Sequence, residues 1–315
     1  MSRTFEYGPA VRRASPLFIG IMGPSGGGKT WSALRLATGI QRIVGGDVAV
    51  VDTEADRALK CADFFAFNHL PFKAPFRSLD YLECAEFVVS KGAKTVIFDS
   101  MSHEHTGVGG YLATADAELD RMAGDNYGKR QACKLASFIK PSSERRKMID
   151  GFLTMSVNFI FNFRAKEKVK PIKNQGKTEI ENIGFMPIGS SELVFEMDAC
   201  CLLMPHAGGV PTWISDEMGE KMMIKSAKQF EHIFATKQPL SEDIGQQLAE
   251  WARGGAATTA EDPILATLRV TGEESAKGGV ESLKTFWTSL SRPHQHALKN
   301  MLPSWKAISE AVAAQ

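Results

Sequence analysis

Cysteine is scarce in this sequence, and a long apolar segment is missing from it. The cysteines are odd in number and never spaced Cys-x-x-Cys: Cys61, Cys84, Cys133, Cys200 and Cys201. This argues against a disulfide framework or a zinc ribbon and predicts a reducing, cytoplasmic environment. No apolar run approaches the roughly 18 residues that a membrane helix needs, and the N-terminal residues lack the pattern of a secretory signal. We therefore expect no membrane partner.

A surplus of charge of one sign is missing as well. The chain has 37 Lys and Arg against 36 Asp and Glu, so its formal net charge is +1. This excludes a nucleic-acid binder that is strongly basic throughout, although a local basic patch is still compatible with it. With 315 residues, 43% of them hydrophobic, the chain can bury a full core in one large domain, with or without an appendage.

Short apolar segments alternate with longer helical stretches. Strands are predicted at Leu17–Met22, Val48–Asp52, Thr95–Asp99, Val157–Phe163 and Ala199–Met204. Helices are predicted at Lys29–Gln41, Arg57–Phe67, Leu79–Lys91 and Gln131–Phe138. Several strands are continuously apolar, which is typical of strands buried on both faces. The alternation predicts an α/β fold with a mostly parallel central sheet flanked by helices.

Three stretches interrupt this alternation. We expect a mobile loop at Ser100–Gly128, a lysine-rich loop at Arg164–Gly189 and a linker at Gly254–Asp262. The composition therefore divides the chain into an α/β core at 1–238, a helix and linker at 239–262, and a small helical domain at 263–315.

One motif points to phosphate binding. Gly23-Pro-Ser-Gly-Gly-Gly-Lys29-Thr30 matches G-x-x-x-x-G-K-[ST] between a predicted strand and a predicted helix. Glycines let backbone N–H groups converge on phosphate oxygens, and the helix N-terminus adds positive charge. Lys29 is expected to neutralise the β- and γ-phosphates during catalysis, and Thr30 to ligate Mg²⁺. The predicted nucleotide-binding set is Gly23, Pro24, Ser25, Gly26, Gly27, Gly28, Lys29, Thr30 and Trp31.

Two acids that end strands complete a candidate hydrolytic site. Asp99 closes the apolar segment Thr95–Asp99 and is the expected second Mg²⁺ contact. Hydrolysis also needs a group that orients or deprotonates water. Glu54 follows the second strand, and parallel strands bring their carboxyl ends to one edge of the sheet, so Glu54 is the leading candidate. Asp52 and Glu104 are alternatives, and Asp52 could instead cap the following helix.

The segments GPSGGGKT, VVDTE and VIFDS, in this order, resemble the core of RecA-type recombinases over residues 15–235. In length and layout the chain is similar to phage-encoded RecA-like ATPases associated with single-strand annealing. The resemblance implies a Mg²⁺-dependent ATPase in the host cytoplasm, with Glu54 as catalytic carboxylate and Asp99 as metal ligand. It also implies a homo-oligomer that acts on single-stranded DNA in recombination or replication.

This chain departs from the family in two respects. Its phosphate loop begins at Gly23, so we expect no additional N-terminal domain like that of RecA-type recombinases. The family places a glutamine, which senses the γ-phosphate, at the end of the fourth core strand. Here Asn162 and Arg164 occupy that region, and both are candidates for the role.

The resemblance also implies roles for the basic residues. A DNA-binding loop follows the fourth core strand in the family, and here that position carries the densest positive run of the chain: Arg164, Lys166, Lys168, Lys170, Lys173 and Lys177. Such lysines suit phosphate contacts without base readout. Lys225 and Lys228 lie where RecA-like filaments touch the ATP of the adjacent subunit. The helices of 263–315 are expected to bind a single-strand-binding or recombination protein.

Two other functions stay open at this point. One is an ATP-dependent switch or assembly factor that recruits a protein partner and hydrolyses ATP slowly, without regard to DNA. The other is a hexameric helicase with the same core. No motif for guanine recognition is evident in the sequence, so we expect ATP as the nucleotide.

Overall fold

The computed structural model describes residues 7, 12–174, 177–234, 237–254, 263–291, 294–295, 298–299 and 301–313. The predicted linker therefore lies outside the described residues except for Gly254, and so do the side chains of Lys173 and Lys177. The chain divides into two compact units, Arg13–Gly254 and a second unit formed by its terminal parts. The finer division at residues 238 and 262 stays a prediction.

An eight-stranded sheet forms the centre of the first unit. Its strands are β1 (Phe18–Gly23), β2 (Asp47–Asp52), β3 (Asn68–Pro71), β4 (Ala93–Asp99), β5 (Asn158–Asn174), β6 (Lys177–Pro187), β7 (Ala199–Leu202) and β8 (Lys225–Ser226). The order is β3-β2-β4-β5-β1-β7-β8, with β6 paired to β5. Pairing is parallel except in β5–β6 and β7–β8. The predicted α/β fold with a mostly parallel sheet is therefore confirmed.

Helices cover both faces of this sheet. They are α1 (Lys29–Val44), α2 (Ser78–Ser90), α3 (Ser102–Thr106), α4 (Tyr111–Ala123), α5 (Tyr127–Cys133), α6 (Ile139–Thr154), α7 (Ser191–Phe195), α8 (Met218–Met223), α9 (Glu231–Phe234) and α10 (Glu242–Ala252). Phe98, Phe159 and Phe161 pack with α2 and α6 on one face, whereas Ile97 and Ile160 pack with α1 and α10 on the other. Burial on both faces explains the continuously apolar strands.

The segment Ser100–Gly128 is not the mobile loop that its glycines suggested. It forms α3 and α4, and Gly107, Gly109 and Gly110 only make the turn between them. The physical reason is a buried ion pair, because Arg145 of α6 donates to both carboxylate oxygens of Glu104 at 3.0 and 2.8 Å. Ser78 donates to the same carboxylate at 2.6 Å. An acid satisfied in this way holds α3 against the core.

The lysine-rich segment after Arg164 is likewise not a loop. β5 continues to Asn174, and β6 returns antiparallel to it, so the segment is a long hairpin. A bulge between Lys168 and Val169 interrupts the ladder. Next to this bulge the N–H of Phe185, which stands opposite Glu167 in the register, donates to the buried carboxylate of Glu220 on α8 at 2.7 Å. An acceptor at a bulge satisfies a donor that the ladder cannot, which stabilises the base of the hairpin.

Three further element boundaries differ from the sequence-based expectation. The predicted helix Arg57–Phe67 is a short 3-10 helix, Arg57–Cys61, followed by β3. The predicted helix Gln131–Phe138 covers the end of α5 and a second 3-10 turn. The strand predicted to reach Met204 ends at Leu202. Short strands such as β3 and β8 have too few residues for a periodic pattern.

The second unit has a core of its own. Its described helices are α11 (Pro263–Lys277), α12 (Val280–Ser289) and α13 (Leu302–Ala313). Phe286, Leu290 and Leu298 are buried around Trp305. No helix in the described ranges combines the length and apolar character that spanning a bilayer requires.

Close contact between α1 and α10 generates a stability prediction. A Cβ at Gly39 would lie 1.8 Å from the carbonyl oxygen of Glu242. Gly39→Ala should therefore lower the free energy of unfolding by about 1–3 kcal/mol, as overpacking does. Gly128→Ala in α5 is the matched control, since its nearest neighbour would be 3.6 Å away, and alanine favours a helix by up to about 1 kcal/mol. Urea unfolding measures both, and equal stability of the two variants would contradict the contact.

Candidate active site

The phosphate loop joins the end of β1 to the start of α1, and its glycines serve two purposes. Gly26 and Gly28 have φ values of 83° and 82° and lie in open space, so the backbone conformation itself favours glycine there. At Gly23 and Gly27 the constraint is contact, because a Cβ would lie 2.2 and 2.4 Å from the carbonyl oxygen of Leu203. The loop is therefore seated against the segment that follows β7.

The side chain of Lys29 lies within this loop. Its Nζ donates to the carbonyl oxygens of Gly23 and Pro24 at 2.9 and 2.8 Å. Burial lowers the pKa of Lys29, and the negative charges of Asp99 and Glu54 oppose that shift. The ammonium group thus interacts electrostatically with both predicted acids of the site.

Asp99 ends β4 and is 4% exposed. The Thr30 hydroxyl donates to its Oδ2 at 2.5 Å. Burial raises the pKa of Asp99, and the hydrogen bond from Thr30 opposes the rise. Asn162 lies beside Asp99 in the strand register, and its amide also opposes the rise in the pKa of Asp99. Neither polar atom of this buried amide has a partner in hydrogen-bonding geometry.

The donor set at this point fits Mg²⁺. A hydroxyl and a carboxylate are the oxygen ligands that Mg²⁺ takes from proteins, with water and phosphate oxygens completing the coordination. Thr30 and Asp99 would hold the ion. Across the described ranges no group of three or more His, Cys, Asp or Glu side chains is arranged as a metal site.

Asp52 organises the turn after β2. One carboxylate oxygen accepts the N–H of Glu54 at 2.7 Å, and the other accepts the N–H of Ala58 at 2.9 Å. The ring of His69 contacts the second oxygen at 3.2 Å. Asp52 thus binds the backbone that positions Glu54. This agrees with the capping role considered from the sequence.

Glu54 forms an ion pair that the sequence did not indicate. The guanidinium of Arg164 donates to both of its carboxylate oxygens, with Nε at 2.7 Å from Oε1. The Glu54 side chain is 8% exposed and that of Arg164 is 45% exposed. Burial alone would raise the pKa of Glu54, but the hydrogen bonds and positive charge of Arg164 outweigh it and lower the pKa. Glu54 is therefore ionised at neutral pH.

A hydroxyl network joins the ends of β2 and β4. The Thr53 hydroxyl donates to the carbonyl oxygen of Ser100 at 3.1 Å and accepts the N–H of the same residue at 2.8 Å. Nδ1 of His103 lies 2.7 Å from that hydroxyl. No motif marks Thr53 or His103 as part of the site, although each adjoins a predicted residue, Glu54 and Glu104 respectively. The network fixes Glu54 and Asp99 relative to one another.

Lys29, Asp99 and Glu54 line one cavity of about 600 Å³. Its lining is Ser25, Gly26, Gly28, Lys29, Thr30, Trp31, Glu54, Arg57, Lys60, Cys61, Asp99 and Arg164. The structure thus brings together the phosphate loop, both leading acids and Trp31. Arg57, Lys60 and Cys61 are additions from the 3-10 helix after β2, which no motif marked.

Other predicted residues lie elsewhere. Asn162 is fully buried between β1 and β4, and Glu104 is held by Arg145. Lys166, Lys168 and Lys170 are exposed on the hairpin. The Nζ of Lys225, on β8, donates to the carbonyl oxygen of Phe195 at 3.0 Å, and Lys228 lies in the 3-10 helix Lys228–Phe230.

Comparison of the chain with protein-family models and with curated proteins finds no match.

The pKa of Glu54 yields a pH prediction. Because its folded-state pKa lies below the ordinary value of 4.5, the ionised form stabilises the fold above pH 4.5, and this contribution is lost as the pH falls further. The difference in unfolding free energy between wild type and Glu54→Gln should therefore shrink below pH 4.5. Urea titrations from neutral to acid pH measure it.

The Arg164→Ala background is the control for this experiment. Without the guanidinium, burial is opposed only by the weaker charges of His103 and Arg57, so the pH dependence of this difference should become smaller or change sign. An unchanged pH dependence in that background would show that Arg164 does not set the ionisation of Glu54.

Proposed function

We propose that the protein is a Mg²⁺-dependent ATPase with a RecA-like P-loop core, acting on single-stranded DNA in phage-type recombination or replication, where it promotes annealing or strand pairing. One observation carries the enzymatic part of this proposal. The phosphate loop, Asp99 and Glu54 meet in a single cavity at the carboxyl ends of parallel strands, which is where α/β sheets bind their ligands.

Binding of ATP would use the loop and the start of α1. The backbone N–H groups and the helix N-terminus attract the β- and γ-phosphates. Phosphate oxygens replace the carbonyls of Gly23 and Pro24 as partners of Lys29, whose charge then stabilises the transition state. Thr30 and Asp99 would hold Mg²⁺, which neutralises phosphate charge when bound. The exposed face of Trp31 lies on the same cavity and offers the nucleotide an apolar contact.

Glu54 would act on the attacking water. The carboxylate accepts a proton as the water oxygen bonds to the γ-phosphorus and the bond from that phosphorus to the β–γ bridging oxygen breaks, releasing ADP. Its ionised state at neutral pH supports this role. Asp52 accepts the N–H of Glu54, and the Thr53 hydroxyl binds the backbone of Ser100, the residue after Asp99. Residues outside the cavity lining therefore position the base.

The hairpin supports the DNA part of the proposal. Lys166, Lys168 and Lys170 occupy alternate positions of β5, and alternate side chains of a strand share one face. All of them are exposed, so they form a row of cations suited to a phosphate backbone. The hairpin begins directly after Arg164, a residue of the cavity, which offers a short path between nucleotide and DNA.

Assembly of the protein is part of the same proposal. Lys225 lies on β8, the last strand at one edge of the sheet, and Lys228 follows it, so both are suited to reach a neighbouring copy and its ATP. The C-terminal helices would bind a single-strand-binding or recombination protein.

A second function is favoured by the ion pair of Glu54. A base held by Arg164 gives slow hydrolysis until something releases it, which suits an ATP-dependent switch or assembly factor that recruits a protein partner. The two functions differ in their response to DNA, so one assay separates them.

Turnover of Glu54→Gln tests the enzymatic proposal. We expect kcat to fall about 10²–10⁴-fold, the usual contribution of a general base, while ATP still binds.

Two further variants are the controls. Lys29→Ala should lose ATP binding as well as turnover. Glu86→Gln changes an exposed residue of α2 and should hydrolyse ATP like the wild type. Rates are compared without DNA, with single-stranded DNA and with duplex. Normal turnover by Glu54→Gln would remove its role, and a low rate indifferent to DNA would favour the switch.

Salt dependence tests the hairpin. Replacing Lys166, Lys168 and Lys170 by alanine should weaken binding to single-stranded DNA and reduce the slope of log K against log salt by about 2, at ~0.7 for each lost phosphate contact. The matched control replaces the exposed Lys73, Lys134 and Lys147, which removes equal charge elsewhere. Equal effects of the two triple variants would exclude a specific role for the hairpin lysines.

A further inference from the structure

His103 lies beside the turn that carries the predicted base, although it does not line the cavity among the described residues. It belongs to α3, which follows the strand that ends at Asp99. Its Nδ1 atom is 2.7 Å from the hydroxyl oxygen of Thr53, the residue directly before Glu54. The imidazole therefore reaches the proposed catalytic residues from outside the cavity, through the side chain of Thr53.

Three polar atoms surround the Thr53 hydroxyl, and together they determine where the protons lie. The hydroxyl donates to the carbonyl oxygen of Ser100 at 3.1 Å and accepts the N–H of the same residue at 2.8 Å. Because a hydroxyl has one proton and two lone pairs, these contacts leave a single lone pair for the imidazole. Nδ1 of His103 must then carry a proton and donate it. In the neutral ring, Nε2 is the acceptor.

The surroundings of the ring keep it in this state. The ring of His103 stacks on that of Phe76, with centroids 5.0 Å apart and an interplanar angle of 20°. Burial lowers the pKa of His103, the positive charge of Arg164 lowers it further, and the negative charge of Glu54 opposes both. The pKa therefore lies below the ordinary value of 6.5, and the ring is neutral at neutral pH.

The hydroxyl that His103 contacts joins the ends of two strands. Thr53 follows β2 and Ser100 follows β4, and the N–H of Thr53 also donates to the carbonyl oxygen of Asp99 at 2.8 Å. Thr53 and Ser100 are both buried. Removal of the imidazole leaves a buried lone pair of the hydroxyl without its donor, which weakens the connection between the two strand ends.

We propose that His103 is a positioning residue for the hydrolytic reaction, because its Nδ1–H orients the Thr53 hydroxyl that holds the turn of Glu54 against the end of β4. This inference rests on the proposed function, since it assigns to the ring an effect on ATP hydrolysis. The ring is expected to affect the rate of the chemical step and not the binding of nucleotide, which depends on the phosphate loop. The position requires a donor placed like Nδ1.

Two amide variants of His103 test where the donor must lie. The amide nitrogen of asparagine is bonded to the γ-carbon, like Nδ1, whereas that of glutamine lies one bond further out, like Nε2. His103→Ala and His103→Gln should lower kcat up to about 10²-fold, as a displacement of about 1 Å does. His103→Asn should retain most of the wild-type kcat. The affinity for the non-hydrolysable β,γ-imido analogue of ATP, measured by calorimetry, should stay nearly unchanged in all of them.

A double-mutant cycle tests whether the ring acts through Thr53. Thr53→Val removes the hydroxyl, so adding His103→Ala to it should lower kcat no further. Nitrogen NMR of the wild-type histidines should show a ring that is protonated at Nδ1 and is lost in His103→Asn. His232→Asn changes an exposed histidine of α9 and is the matched control, which should alter neither rate nor affinity. If His103→Ala does not fold by circular dichroism, the asparagine and glutamine variants replace it.

The outcomes separate the inference from the proposed function. Equal losses of kcat in the asparagine and glutamine variants, additive losses in the cycle, or an unprotonated Nδ1 would overturn the inference alone. A loss of nucleotide affinity in parallel with kcat would also overturn it, because the ring would then support the fold of the whole site. If the wild type does not hydrolyse ATP, or if Lys29→Ala does not impair binding, the proposed function itself fails and the inference with it.

Discussion

The parallel register of the central strands is the constraint on which the candidate site depends. It aligns Asp52 with Asp99, Asp99 with Asn162, and Arg164 with Gly23. Because side chains alternate along a strand, a slip by one residue would turn each of these groups to the opposite face. The aromatic and aliphatic layers on both faces of the sheet oppose such a slip. The packing of the core therefore also determines which side chains meet at the edge of the sheet.

Asp99 and Glu54, two carboxylates at that edge, have opposite environments. Burial dominates at Asp99, whose partner is a neutral hydroxyl, and its pKa is raised. At Glu54 a guanidinium outweighs burial, and its pKa is lowered. Pairs of acids separated in this way are typical of sites that assign them different tasks. A cation beside Asp99 would offset the cost of ionising it there, whereas Glu54 already has its counter-ion in Arg164.

Arg164 links the site to the rest of the molecule. Residues on its N-terminal side belong to the buried part of β5, and those on its C-terminal side begin the exposed hairpin. The base of that hairpin is held by Glu220, and Lys166, Lys168 and Lys170 follow Arg164 along its first strand. The guanidinium therefore lies where the buried part of β5 passes into the exposed hairpin.

The sequence by itself determined the phosphate loop, the apolar strands and the acids that end them, because these depend on local chemistry and on the periodicity of short segments. Glycine spacing and continuously apolar runs are visible without knowing what packs against them. Only the tertiary structure decided that Ser100–Gly128 is helical and that the lysine-rich segment is a hairpin, since the ion pair of Glu104 with Arg145 and the contact of Glu220 with Phe185 join residues far apart in the chain. The pairing of Glu54 with Arg164 across 110 positions belongs to the same class: no local pattern records it, and it arises only when parallel strands bring their carboxyl ends together.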